Sequence, residues 1–304
     1  MLKRIIKSRF VQSLKIAKVI YLPFYINTQK KLQVKVLPPL ETVKRINEEK
    51  LSIGRFGDGE MRIMFQQRDI GFQKFDPKLA NELFKSATPS GKYVIAIPHG
   101  FMTTKDDNLR TAVFWWKYVF ENKKHIRTLT DHAKTKLFFD TNFSRTTTEL
   151  KNTDTVDNVI REVKNIWLNR SVIMIEGKQT RFGIGNDLFD NALAVRRVVG
   201  PAENAYDAID SLEEVVVELS KQLIDPIVLI ALGPTATVLS HRIFSLGLQT
   251  IDIGHFDLQY EYYLKGSRHR VKVSGKYDNE RGITGQEENF NDDSYKNQIY
   301  KKIL

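Results

Sequence analysis

Between Leu51 and Met64 the chain reads Leu-Ser-Ile-Gly-Arg-Phe-Gly-Asp-Gly-Glu-Met-Arg-Ile-Met. Asp58 and Glu60 flank Gly59, with Arg55 and Gly57 just before them, so two carboxylates, a guanidinium and a freely turning backbone sit together. Paired oxygen ligands of this kind suit a hard divalent cation, and a cation together with an arginine neutralises a pyrophosphate. On spacing alone the pair also reads as a solvated turn capping a helix that begins near Glu60.

A second ionisable group lies far along the chain, where Asp252, His255, Asp257 and Glu261 emerge at or just after the end of a strand expected over Thr250 to Ile253. His255 is a candidate ligand for the metal or, through an imidazole N–H, for a diphosphate. Glu261, and after it Asp257, are candidates to take the proton of an acceptor hydroxyl. The plainer readings are a hydrogen-bonded turn histidine and a surface helix charge. Two glycine turns add candidate phosphate contacts. Gly183 and Gly185 precede Asn186 and Asp187, with a helix expected on through Phe189, Ala192 and Leu193, and Gly233-Pro234-Thr235 opens another through Leu239 and Ile243. Each follows a continuous apolar run, so backbone N–H groups and a helix N-terminus would stand at the carboxyl edge of a sheet. Neither turn is a dinucleotide or Walker fingerprint, and tight packing alone explains such glycines.

Arg55 to Glu60 resembles the Arg-Phe-Gly-Asp-Gly-Glu signature of the GT-D class of bacterial glycosyltransferases, a family first described as a domain of unknown function. Further blocks agree in order: Gly71-Phe72-Gln73, Ile175-Glu176-Gly177 leading to Arg181 through Ala192, Gly233 through Leu239, and Asp252 through Tyr262. The resemblance spans roughly Leu51 to Leu264. It implies a UDP-hexose donor, most often UDP-glucose, with Mn²⁺ or Mg²⁺ held by Asp58 and Glu60 and with Arg55 and Arg181 beside the diphosphate, although a structural salt bridge suits each arginine as well. It also implies a glycan acceptor, on a protein or a lipid carrier, in cell-surface polysaccharide or glycoprotein synthesis. The sequence departs from the family at Gln259-Tyr260-Glu261-Tyr262, where an acidic residue is usual in place of Gln259.

The elements that must position these residues read as α/β: a Rossmann-like, mainly parallel sheet flanked by helices. Strands are expected at Leu51 to Arg55, Tyr93 to Ile97, Ser171 to Ile175 and Ile227 to Leu232, the last two as continuous apolar runs covered on both faces. Helices are expected at Glu41 to Glu49, Pro77 to Ala87, Thr111 to Asn122 and Thr153 to Leu168, the last with apolar residues at Val156, Val159, Ile160, Val163 and Ile166.

The 304 residues carry a net charge of +11 and no cysteine, which excludes disulfides and thiolate metal sites and fits a reducing, cytoplasmic setting. The charge is concentrated at the front, where Lys3, Arg4, Lys7, Arg9, Lys15, Lys18, Lys30, Lys31 and Lys35 precede the first acidic residue, Glu41. With Leu2, Ile6, Phe10, Leu14, Ala17 and Tyr21 on one helical face, residues 1–35 form a basic amphipathic leader, suited to the inner face of an anionic membrane or to docking on the protein itself. Val19 to Ile26 is too short to span and contains Pro23. The expected organisation is the leader 1–35, the GT-D domain 36–265, and a polar appendage 266–304 that serves acceptor binding or homodimer contacts. A metal-dependent nucleotide or nucleotide-sugar hydrolase would use the same carboxylates. A basic nucleic-acid binder would need aromatics interleaved with Lys and Arg, whereas here they lie in apolar runs, so no nucleic acid is expected.

Overall fold

The computed structural model describes residues 19–278 and 292–304. Nine strands form one all-parallel sheet. They are β1 (Lys35–Val36), β2 (Ser52–Arg55), β3 (Tyr93–Ile97), β4 (Leu137–Asp140), β5 (Ser171–Gly177), β6 (Ala194–Gly200), β7 (Pro226–Ala231), β8 (Thr250–Asp252) and β9 (Ile299–Lys302). Their order across the sheet is β1-β4-β3-β2-β8-β7-β5-β6-β9.

Alternation along the central strands explains the layers. Val172 and Met174 of β5, with Ile227 and Leu229 of β7, face a core closed by the helices Pro39–Glu49 and Thr153–Asn165. Ile173, Ile175, Val228 and Ile230 face the opposite core under Pro77–Ser86, Ile209–Ser220 and Pro234–Ser245. Every residue of β5 is buried, as its unbroken apolar run requires. The helix Thr153–Asn165 buries Val156, Val159, Ile160 and Val163, the stripe its periodicity predicts.

Connections reverse at two places. The chain leaves β2 toward β3 but returns from β8 to the far edge at β9; it leaves β5 toward β6 but β7 toward β8. Crevices between strands whose continuations part in this way are where open α/β sheets take ligands.

Three findings depart from the sequence reading. Residues 178–193 form successive turns rather than the expected helix from Asn186, because the N–H groups of Phe182 and Gly183 go to the carboxylates of Glu176 (2.6 Å) and Asp257 (2.8 Å). Strand β6 was hidden by Arg196 and Arg197 in mid-run; Arg197 is buried by pairing with Glu176 at 2.8 Å. The last residues are more than an appendage, since β9 pairs with β6 and Gln298 accepts from the Arg197 Nε at 2.7 Å. The expected leader helix lies outside the described residues as far as residue 18. Beyond it, Leu22–Leu32 packs on the long helix Leu109–His132, with Phe24 and Phe120 ring centroids 5.1 Å apart and the Tyr25 hydroxyl donating to Gly100 O. No helix among the described residues is long and apolar enough to cross a membrane.

Candidate active site

Strand β2 ends in Arg55 and turns at Gly57 into the short helix Asp58–Met61 and the π-helical turn Arg62–Gln66. One oxygen of Glu60 accepts the Gly57 N–H at 2.8 Å, so the capping role foreseen for this turn is real for Glu60, while Asp58 is exposed. Burial, with the charge of Asp252 adding to it, pushes the Glu60 carboxyl up to about 7 against the opposing pull of Arg55.

Arg55 is fixed rather than loose. Its Nε donates to Asp252 at 3.0 Å and its Nη1 to the Ser144 hydroxyl at 2.7 Å, and its guanidinium lies over Gly254. A Cβ at Gly254 would stand 2.0 to 2.5 Å from three guanidinium atoms, and φ there is +52°, so only glycine fits. The structural salt bridge is therefore present, and Arg55 still lines the clefts on both sides of it. Burial raises the Asp252 carboxyl and Arg55 opposes that rise.

Two clefts meet at the carboxyl edge of the sheet. The wide one, about 730 Å³, runs between the Asp58 turn and the helix Leu109–His132 and is lined by Arg55, Gly57, Asp58, Glu60, Gly233, Pro234 and His255. The narrow one, about 70 Å³, lies beyond β5 and β7 among Gly177, Gln179, Thr180, Phe182, Leu232 and Tyr277. Arg55, Phe72, Gly233 and His255 belong to both walls. Gly233 has φ +56°, and a Cβ on it would meet the Phe72 ring at 2.3 Å; the helix Pro234–Ser245 starts directly from it, so the positive end of that helix lies at the junction of the clefts, although Pro234 carries no N–H and the Ala236 N–H bonds Gly233 O at 2.8 Å. Thr235 is buried behind this end.

Asp58 and Glu60, some 195 residues from His255 in sequence, thus line one cleft with it. Among the described residues no group of three or more His, Asp or Glu side chains is already placed to hold a metal ion. An open pair of carboxylates fits Mg²⁺ or Mn²⁺, which keep few protein ligands and complete their shell with phosphate oxygens and water, and does not fit a closed structural site.

The other expected residues are placed differently. Glu261 is buried and lines neither cleft; its carboxylate takes the Asn186 amide N–H at 2.8 Å and the Lys276 ammonium at 3.2 Å. Asp257 reaches the narrow cleft, but Lys276 holds both its oxygens at 2.7 and 2.8 Å and Gly183 N–H donates to one of them. Both acids therefore pin the 181–188 turns to the helix Phe256–Leu264 rather than facing the wide cleft as proton acceptors. Lys276, beyond the expected domain end and unremarkable in sequence, is the buried cation that binds them. Arg181 donates to Gly275 O at 2.6 Å, and Asp187 pairs with Lys164 at 2.8 Å and accepts from Tyr260 at 2.6 Å. Gly185, Asn186 and Asp187 line neither cleft. Gln259, the departure from the family pattern, accepts the Thr148 N–H at 2.9 Å, which a neutral amide oxygen does as well as a carboxylate.

Sequence reading missed a buried cluster beside the wide cleft. His99 bridges Asp140 and Asp107 at 2.6 Å each, and Asp140 in turn accepts the N–H of Asn142, which lines the cleft. Burial alone would lower the imidazole, but the two carboxylates push it up to about 11, so it is a buried cation. The Pro98-His99-Gly100 punctuation after β3 was the available signal.

The signature of the glycosyltransferase GT-D fold matches residues 53–281. The chain is 30% identical over 267 residues to a glycosyltransferase, GlyD, of Streptococcus pneumoniae serotype 4, covering 87% of this chain and 32% of that protein. It is 28% identical over 273 residues to a probable glycosyl transferase, Gly, of Streptococcus gordonii, covering 89% and 39%. It therefore spans less than two fifths of the length of these relatives. A solved structure described as domain of unknown function 1792 with a distinct glycosyltransferase fold superposes with a TM-score of 0.84 at 29% identity, covering 92% of this chain and 100% of that one. A glycosyltransferase of the same domain type from Streptococcus sanguinis gives 0.81 at 28%, covering 89% and 100%. With three quarters of its length matched, and with the acidic turn, Arg55 and the Gly233 helix end meeting at one cleft, the chain belongs to the glycosyltransferase GT-D fold family.

Proposed function

We propose that the protein moves a hexose, glucose or galactose, from a UDP-sugar to a hydroxyl of a glycan acceptor in the synthesis of a cell-surface polysaccharide or glycoprotein. The observation that carries this is that Asp58, Glu60, Arg55, His255 and the N-terminus of the helix Pro234–Ser245 line one cleft. The diphosphate crosses the residues shared by the two clefts, Arg55, Gly233 and His255. Asp58 and Glu60, with His255 adjacent, would hold Mn²⁺ or Mg²⁺. Such a cation supplies charge neutralisation of the departing diphosphate without a proton. Arg55, held rigid by Asp252 and Ser144, adds a fixed positive charge that needs no reorganisation as the sugar–phosphate bond lengthens.

A panel of nucleotide sugars, assayed for metal-dependent nucleotide release, tests this reading. Release with the sugar recovered on an acceptor supports it, and release to water alone in the presence of glycan acceptors makes the protein a nucleotide-sugar hydrolase. Asp58→Ala and Glu60→Ala are each expected to lower turnover by about a hundredfold or more.

The leader suits a lipid-linked acceptor presented at an anionic membrane surface on the cytoplasmic side. Since Leu22–Leu32 is packed into the fold, the decisive truncation removes residues 1–18 only. It is expected to abolish sedimentation with anionic vesicles while leaving soluble-donor turnover intact; unchanged sedimentation would remove the leader from this role.

A further inference from the structure

The helix Leu109–His132 turns one face to the wide cleft. Arg110, Thr111, Phe114, Tyr118, Glu121 and Asn122 all line it, and their spacing of three and four residues makes one stripe, aromatic in the middle and polar at both ends. Phe114 is 42% exposed, yet its ring is held in place, edge-on to Trp115 at 4.8 Å and stacked on Tyr118 at 5.7 Å. A ring fixed on one side and open on the other presents a rigid apolar surface to a polar cleft.

A separate observation points to a ligand. Trp115 is 6% exposed and lines the same cleft, and its indole N–H has no hydrogen-bond partner among the described residues; the shielded Tyr118 hydroxyl has none either. Buried donors are rarely left unmet in a native fold. Tyr118 lies within electrostatic reach of Asp58 and Glu60, so the stripe stands close to the acidic pair. Asn122 breaks the helix, with φ −105° and ψ 15°, and accepts from Gln66 at 3.0 Å, which ties the stripe to the π-helical turn after that pair.

We propose that this stripe is the acceptor subsite and that the acceptor is a hexopyranoside lying flat on Phe114. A pyranose offers a C–H face to the electron-rich face of an aromatic ring and a rim of hydroxyls to surrounding polar groups. Arg110 and Thr111 serve that rim at one end, Glu121 and Asn122 at the other. The assignment as acceptor rests on the donor reading above; the binding of a sugar to the stripe does not.

The test is saturation-transfer NMR on the full chain with Mn²⁺ and UDP, using methyl β-glucoside, methyl β-galactoside and methyl β-N-acetylglucosaminide as probes, beside calorimetric titration of UDP. At least one glycoside is expected to receive saturation on a single C–H face. Phe114→Ala and Phe114→Leu, the second keeping apolar bulk without the ring, should each weaken its binding about tenfold while UDP affinity stays as in the wild type and each variant keeps a single cooperative thermal transition. Wild-type glycoside signals in both variants, no signal for any glycoside in the wild type, or loss of UDP binding together with the glycoside would overturn the proposal. If the wild type takes up a glycoside through Phe114 but does not bind UDP, the sugar subsite stands and the donor reading falls.

Discussion

At the scale of single residues, the two acids of the turn do different work although one glycine separates them. Glu60 caps Gly57 as well as facing the cleft, whereas Asp58 is exposed. Chemical denaturation should therefore show Glu60→Ala costing about 1 kcal/mol of stability and Asp58→Ala within about 0.5 kcal/mol of wild type, even as both lose turnover. His99 makes a pH-dependent prediction. Its folded-state value of about 11 lies above its ordinary 6.5, so its contribution is fully present below about pH 6.5 and is lost as pH rises toward 11. Removing it strands Asp107 and Asp140, so His99→Ala should cost about 3–5 kcal/mol at pH 6, and the gap to wild type in urea unfolding should narrow steadily by pH 10. A gap that widens with pH would mean the imidazole is neutral in the fold. The motif residues were legible in sequence because glycine and carboxylate spacing is local. Lys276 and the His99 cluster were not, since their partners come from distant segments.

At the scale of elements, continuous apolar runs and helical stripes announced β2, β3, β5, β7 and β8 and the helices Pro39–Glu49, Pro77–Ser86, Thr153–Asn165 and Pro234–Ser245, but not the covering helix Ile209–Ser220. Strands were hidden where burial depends on a distant charge or on very few residues. Strand β6 carries Arg197 inward only because Glu176 meets it from β5 and Gln298 from the chain end. Arg197→Ala leaves Glu176 buried and unmatched and should cost about 3–5 kcal/mol, whereas Gln298→Ala, which removes one neutral partner, should cost about 1–3 kcal/mol. Equal, small losses in guanidinium unfolding would show that β9 is peripheral to the sheet. The turns at 178–193 misled for the converse reason. Asn186 and Asp187 are good helix-capping types, but their side chains are used to bond Glu261, Tyr260 and Lys164, and the preceding N–H groups are taken by carboxylates.

At the scale of the whole molecule, parallel strand order turns distant sequence into one site. The reversal at β2 and β8 brings the acidic turn to His255, and the reversal at β5 and β7 opens the narrow cleft beside it. Neither strand order nor the way the two clefts share a wall can be read from spacing, because both depend on which strands become neighbours. The central claim is that a divalent cation held by Asp58 and Glu60 joins a nucleoside diphosphate to this cleft. Calorimetric titration of UDP into the full chain tests it most directly, with Mn²⁺, with chelator, and in Asp58→Ala. The account predicts binding with Mn²⁺ in the wild type and at least about tenfold weaker binding under either of the other two conditions. Equal affinity in all three would contradict it.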